Sequence, residues 1–239
     1  TFSIARMVSL MSLSLMLAHR YDLPRRICNA AAAIIAAALI TIAPATAQTR
    51  TIVALGDSLT AGYGLPENEG LVPQMQAWLT AQGADVKLVN AGVSGDTTAG
   101  GFARLDWALT PETDGLMVLL GGNDMLRGID PANAKSNLDG ILESAKSKGI
   151  PVLLVSLRAP SNYGEDYKTA FDAIFADLAK TYHAILAENY FIPLIDQNNA
   201  MLDPALMQPD GIHPNAKGVA RIVPVLGPKL LELLAQMSG

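Results

Sequence analysis

Cysteine is almost absent from this chain of 239 residues: it has one, Cys28, alongside three histidines. Cys and His ligands come in spaced clusters and none is present, which argues against a zinc site built from them; no metal and no cofactor is expected. Charge is also scarce. Charged residues make up 16% and the formal net charge is −5, which leaves no basic surface for nucleic acid. No Gly-x-Gly-x-x-Gly follows the first apolar run of the main body, which disfavours a dinucleotide role. The segment Ala30 to Ala43 is apolar, but it falls short of the ~20 residues that a membrane span needs.

What that segment does resemble is the core of an export leader. Arg25 and Arg26 precede it and Pro44-Ala45-Thr46-Ala47 follows, an order of basic, apolar and small residues that reads as a secretory signal peptide cut after Ala47. The alternative is an uncleaved N-terminal anchor in the inner membrane. Upstream, the sequence opens on Thr1 and carries a second apolar stretch, Met7 to Ala18, so the n-region is either unusually long or holds an over-extended start. Residues 1–47 are therefore set aside from the fold. Cys28 leaves with the leader, and a periplasmic or secreted domain of 48–239 without disulfides is expected. Beyond Ala47, 13 basic residues face 21 acidic ones, a soluble surface that does not seek anionic lipid. A monomer without a stable membrane span is expected.

From residue 51 onward, half-hydrophobic sequence alternates between short apolar runs and longer amphipathic ones. Ile52–Leu55, Val86–Val89, Leu116–Leu120, Val152–Val155 and Ile192–Ile195 are the strand candidates. Between them Leu138, Ile141, Leu142 and Ala145 recur at helical spacing, as do Phe171, Ile174, Phe175 and Leu178. This pattern predicts one three-layer α/β/α domain around a mostly parallel five-stranded sheet. The last segment, Asn215 to Met237, is helical but contains Pro224 and Gly227-Pro228, so it reads as kinked or split.

Four stretches then carry the chemistry. Gly56-Asp57-Ser58-Leu59 ends the first strand and presents Ser58 as a candidate nucleophile. Asn90 to Thr97 and Gly121-Gly122-Asn123-Asp124 follow the second and third strands and are rich in small, hydrogen-bonding residues. Strand ends of a parallel sheet share one edge, so these loops should meet at one cleft, where backbone N–H groups and the Asn123 amide can form an oxyanion hole. Pro209-Asp210-Gly211-Ile212-His213-Pro214 precedes the last helix, and Asp210 is close enough in sequence to fix the His213 tautomer. Pro214 and Asn215 would start that helix. Each stretch has a plainer reading as a turn or a helix cap. His183 reads as a partly exposed helix residue and His19 lies in the leader, which leaves His213 as the base.

Together the four stretches resemble the GDSL, or SGNH, hydrolase family, over essentially all of residues 51–239. The resemblance implies a flavodoxin-like sheet, with Ser58, Asp210 and His213 as the triad and Ser58, Gly95 and Asn123 as the oxyanion hole. Gly95 is the better match than the nearby Gly92. Within the family, Gly-Asp-Ser-Leu-Thr-Ala-Gly-Tyr at 56–63, Ser-Gly-Asp-Thr at 94–97 and Ala-Pro-x-Asn-Tyr-Gly at 159–164 are similar to the bacterial periplasmic thioesterases, arylesterases and lysophospholipases.

The expected substrate is therefore a small acyl ester or thioester, of short-to-medium chain, or a lysophospholipid. Met125, Leu126, Ile129 and Pro160 should give the acyl chain an apolar surface, with Asp57, Arg127, Tyr163 and Ile212 also in reach. For Arg127 and Arg158 a surface salt bridge is the alternative to meeting an anionic substrate group. A carbohydrate O-acetylesterase shares the triad but needs an aromatic, polar rim. Trp78 and Trp107 lie in helical runs, where core packing is the default. A domain that only binds a small ligand is the alternative of another class, since such sheets host both. An ordinary α/β-hydrolase is disfavoured because Ser58 is not framed as Gly-x-Ser-x-Gly.

Overall fold

Five parallel strands in the order β2-β1-β3-β4-β5 form the sheet: β1 (Arg50–Gly56), β2 (Val86–Gly92), β3 (Gly115–Leu119), β4 (Val152–Val155) and β5 (Ile185–Ala187). This is the flavodoxin-like order, and its crevice opens where successive connections leave in opposite directions, at the carboxyl ends of β1 and β3. The description comes from a computed structural model and covers residues 49–196 and 201–237; the expected leader lies outside the described residues.

Strands β1, β3 and β4 are buried nearly throughout, which is why they read as unbroken apolar runs. The edge strand β2 exposes Lys87 and Asn90. Helices α2 (Leu71–Ala81) and α8 (Ala216–Gln236) cover one face, and α3 (Thr98–Ala103), α6 (Pro131–Ser147) and α7 (Glu165–Tyr182) the other. Between them stand the short helices α1 (Ser58–Ala61), α4 (Leu105–Ala108) and α5 (Gly122–Leu126). Leu138, Ile141, Leu142 and Ala145 of α6 and Phe171, Ile174, Phe175 and Leu178 of α7 are buried, as their spacing requires. Asp130 caps α6 through the Ala132 N–H, with Pro131 in its first turn.

Three expectations need correction. The fifth strand is Ile185–Ala187; Ile192–Leu194 forms a 3₁₀ turn, and Ile195–Asp196 pairs with Met201–Leu202 in a separate two-stranded ribbon. Pro193 has no N–H to give a ladder, so the run around it leaves the sheet. Helix α8 is continuous through Pro224 and Pro228. Both prolines, and the Ala220 and Pro224 carbonyls they leave without a helical donor, lie on its exposed side, where water can serve those carbonyls. Trp107 is 83% exposed, because the four-residue α4 spends its inward positions on Leu105 and Ala108. Trp78 packs as expected, its ring filling the space that a side chain at Gly227 would occupy.

Candidate active site

Ser58 opens α1 directly after β1, and Asp57 caps that helix through the Leu59 N–H at 3.0 Å. The turn is tight: a Cβ on Gly56 would lie 2.0 Å from Thr60 Oγ1 and 2.8 Å from the Leu119 carbonyl oxygen, so only glycine fits. Across the cleft, residues 204–215 carry His213 back to the sheet edge. Its Nε2 lies 2.8 Å from Ser58 Oγ, and its Nδ1 lies 2.6 Å from Asp210 Oδ2.

Asp210 also accepts the Ile212 and His213 backbone N–H groups on Oδ1, at 2.9 and 3.0 Å. These bonds, the His213 N–H first and its imidazole after it, hold the Asp210 carboxyl down to about 2. The carboxylate is therefore ionised and can only accept, so Nδ1 of His213 is the donor. Nε2 of the neutral ring is then free to accept the Ser58 hydroxyl proton. The ring packs against Tyr63 at 4.7 Å between centroids, and Gln208 binds the Tyr63 and Pro214 carbonyls and, through its own N–H, that of His213. Asn215, rather than Pro214, caps α8, bonding the Lys217 and Gly218 N–H groups.

Three residues with donors to offer, Ser58, Gly95 and Asn123, border the same cleft. The N–H groups of Ser58 and of Gly95 have no acceptor among the described residues, and Gly95 holds φ +85°. Asn123, at the start of α5, donates from its amide nitrogen to the Asp96 backbone carbonyl at 2.9 Å and, at the long distance of 3.5 Å, to Asp57 Oδ2. The bond to Asp57 is long and weak, so the hydrogen it uses can turn to an acceptor in the cleft. The neighbouring Asp124 is buried and binds both the N–H and the hydroxyl of Thr98, tying α5 to α3.

The cleft measures about 780 Å³ and includes Ser58, Gly95, Asn123 and His213 in its walls. Of the residues expected to meet substrate, Leu126, Pro160 and Ile212 line it, as do Met125 and Arg158. Others fall elsewhere. Arg127 turns back to the Gly95 carbonyl at 2.8 Å, and so forms neither the expected salt bridge nor a cleft wall. Tyr163 packs at a tilt against Tyr167 and donates to the Leu126 carbonyl, while the Ile129 carbonyl is taken up by the Tyr167 hydroxyl; neither Tyr163 nor Ile129 lines the cleft. Asp57 reaches the cleft floor but is only 2% exposed and spent on the helix cap, and burial pushes its carboxyl up to about 6. His183 is the left-handed cap that ends α7.

The sequence reading missed Phe191, Ile195 and Leu202, which complete the apolar wall. Proline inside the run Ile192–Ile195 was the available signal that this segment turns out of the sheet. Among the described residues, no group of three or more His, Cys, Asp or Glu could hold a metal ion, and no helix is long and apolar enough to cross a membrane.

The chain is similar to known proteins over most of its length. The chain is 38% identical over 189 residues to the esterase TesA of Pseudomonas aeruginosa, covering 79% of this chain and 91% of that one. It is 37% identical over 181 residues to thioesterase 1/protease 1/lysophospholipase L1 of Escherichia coli K12, covering 74% and 80% respectively. The structure of the psychrotrophic esterase EstA from Pseudoalteromonas sp., inhibited by monoethylphosphonate, matches with a TM-score of 0.70 at 30% identity, covering 78% of this chain and 99% of that one. The profile of the GDSL-like lipase/acylhydrolase family matches residues 54–221. The chain belongs to that family.

Proposed function

We propose that the protein hydrolyses esters and thioesters of short-to-medium acyl chains, and lysophospholipids, through an acyl-Ser58 intermediate. His213 takes the Ser58 proton as Oγ attacks the carbonyl carbon, and Asp210 keeps the imidazole in the required tautomer. The carbonyl oxygen, now carrying the negative charge, is received by the Ser58 and Gly95 N–H groups and the Asn123 amide. His213 then gives its proton to the leaving alcohol or thiol as that bond breaks. Water enters, loses its proton to His213, and releases the acid from Ser58.

The observation that carries this reading is the 2.8 Å contact between Ser58 Oγ and His213 Nε2, residues 155 positions apart. A domain that merely binds a ligand has no use for a hydroxyl, an imidazole and an ionised carboxylate in series. The apolar walls, with Met125, Leu126, Phe191 and Leu202, suit an acyl chain better than a glycan. Trp107, the exposed tryptophan, is not among the cleft residues. One chain supplies every group of the site, which supports a monomer as the acting unit.

Ser58→Ala should lose p-nitrophenyl ester hydrolysis to background, a fall on the order of 10⁴–10⁶ in kcat. Unchanged hydrolysis in that variant would eliminate the assignment. Acyl-length profiling of esters and thioesters, set against acetate release from acetylated xylan, tests the substrate class. The order of residues in 1–47 supports export with cleavage after Ala47. N-terminal sequencing of the exported protein should begin at Gln48; a chain retaining Arg25 and Arg26 would instead support the anchored form.

A further inference from the structure

Arg104 lies outside all four motifs, between α3 and α4, yet it bonds directly to two of the three loops that supply the oxyanion donors. Its Nε donates to Asp96 Oδ2 at 2.6 Å and its Nη2 to the Gly56 carbonyl at 2.9 Å. Gly56 stands two residues before Ser58, and its carbonyl also accepts the Val93 N–H at 3.0 Å. Asp96 directly follows Gly95, and its own carbonyl accepts the Asn123 amide at 2.9 Å. One guanidinium thus joins the end of β1 to the loop after β2, and through Asp96 reaches Asn123 after β3.

We propose that Arg104 is a positioning residue for the oxyanion hole, fixing the spacing of the Ser58, Gly95 and Asn123 donors through Gly56 and Asp96. This rests on the assignment of those donors given above. Stability alone is a poor reason for the residue to be there. Its side chain is 18% exposed, and Nη1 is buried with no acceptor. A buried ion pair can often be replaced by apolar side chains without loss of stability, while an unpaired buried donor is costly. What apolar packing could not supply is a planar fork bonded in two fixed directions, to two different loops. Donors must meet the developing oxyanion within hydrogen-bond distance, and a displacement of roughly 1 Å can cost about 10² in rate.

The test is kinetic, with kcat expressed per active site titrated by a p-nitrophenyl phosphonate, so that misfolded protein does not count. Arg104→Ala should lower kcat by about 10–100-fold with KM changed by less than about twofold. Arg104→Lys should fall between, since an ammonium is a point charge and reaches only one of the two acceptors well. Millimolar guanidinium should restore part of the Arg104→Ala rate and none of the Asn123→Ala rate. Combining Arg104→Ala with Asn123→Ala should cost less than the product of the two single losses. Full kcat per titrated site, or losses that multiply, would overturn the role. If Arg104→Ala does not fold, the Arg104→Lys rate and its combination with Asn123→Ala decide by the same criteria. Ser58→Ala in the same assay separates the two claims: activity retained there overturns the nucleophile, whereas activity lost there beside an undiminished Arg104→Lys overturns only the positioning role.

Discussion

The two sides of the Ser58–His213 contact are built in opposite ways. The serine side is made of strand ends pressed together, where long-range contacts leave no room. Gly92 lies against α1 so closely that a Cβ there would stand 2.3 Å from the Ala61 nitrogen, and Asp57, Thr60, Thr98 and Asp124 are all buried. The histidine side is a short, largely exposed turn. Asp210, Gly211 and Ile212 are open to solvent, and the turn is held mostly by local bonds from Asp210, Gln208 and Asn215, with Gln208 also reaching the Tyr63 carbonyl. Changes on the serine side should therefore cost folding as well as rate, and changes on the histidine side rate alone.

Loss of Ser58 itself apart, the largest expected effect is on the histidine side. Asp210→Asn keeps an oxygen for the Ile212 and His213 N–H groups but can present an N–H to Nδ1, favouring the wrong tautomer, so kcat should drop by about 10⁴ with the melting temperature nearly unchanged. An unfolded Asp210→Asn protein would break the comparison. Next, Asn123→Ala removes a hole donor and should lower kcat by about 10²–10³; it also frees the Asp96 carbonyl, so a small loss in denaturant midpoint is expected with it. Gly92→Ala should act mainly on stability. Its new methyl meets backbone atoms that cannot swing away, and about 3 kcal/mol, the upper part of the overpacking range, should be lost in urea titration.

Asp57 gives the smallest effect and the most specific signature. Burial raises its carboxyl from 3.8 to about 6, so the folded state holds the proton more tightly than the unfolded chain does. That contribution is complete below about pH 4 and is lost as pH rises through 6. It amounts to roughly 2–3 kcal/mol by pH 8. Asp57→Asn retains a cap for Leu59 and cannot ionise, so its stability relative to the parent should rise by that amount between pH 4 and pH 8. A difference that stays flat with pH would show that Asp57 is solvated after all.

This contrast also explains what could be read in the sequence. The histidine turn is local, so Asp210-x-x-His213 announces its own geometry, and the glycines at 56 and 121 mark strand ends wherever they occur. Strands β1, β3 and β4 are buried on both faces, and composition alone reveals such strands. The cleft walls were harder because they depend on where a segment goes after it leaves the sheet. Ile192–Ile195 has the composition of a strand, but Pro193 diverts it, and the same diversion brings Phe191 and Ile195 to the cleft. Arg127 and Arg104 both look like surface cations in one dimension. Each binds a distant carbonyl, 32 and 48 residues away respectively, and no local pattern encodes such a contact.

Covalent labelling bears most directly on the claim that Ser58 and His213 work as a unit. A p-nitrophenyl phosphonate added to the purified protein should release one equivalent of nitrophenol per chain and leave a single adduct, mapped by mass spectrometry to the peptide carrying Ser58. His213→Ala should be modified far more slowly and Ser58→Ala not at all. An adduct on any other residue, or hydrolysis that continues at full rate in the fully labelled protein, would contradict the account.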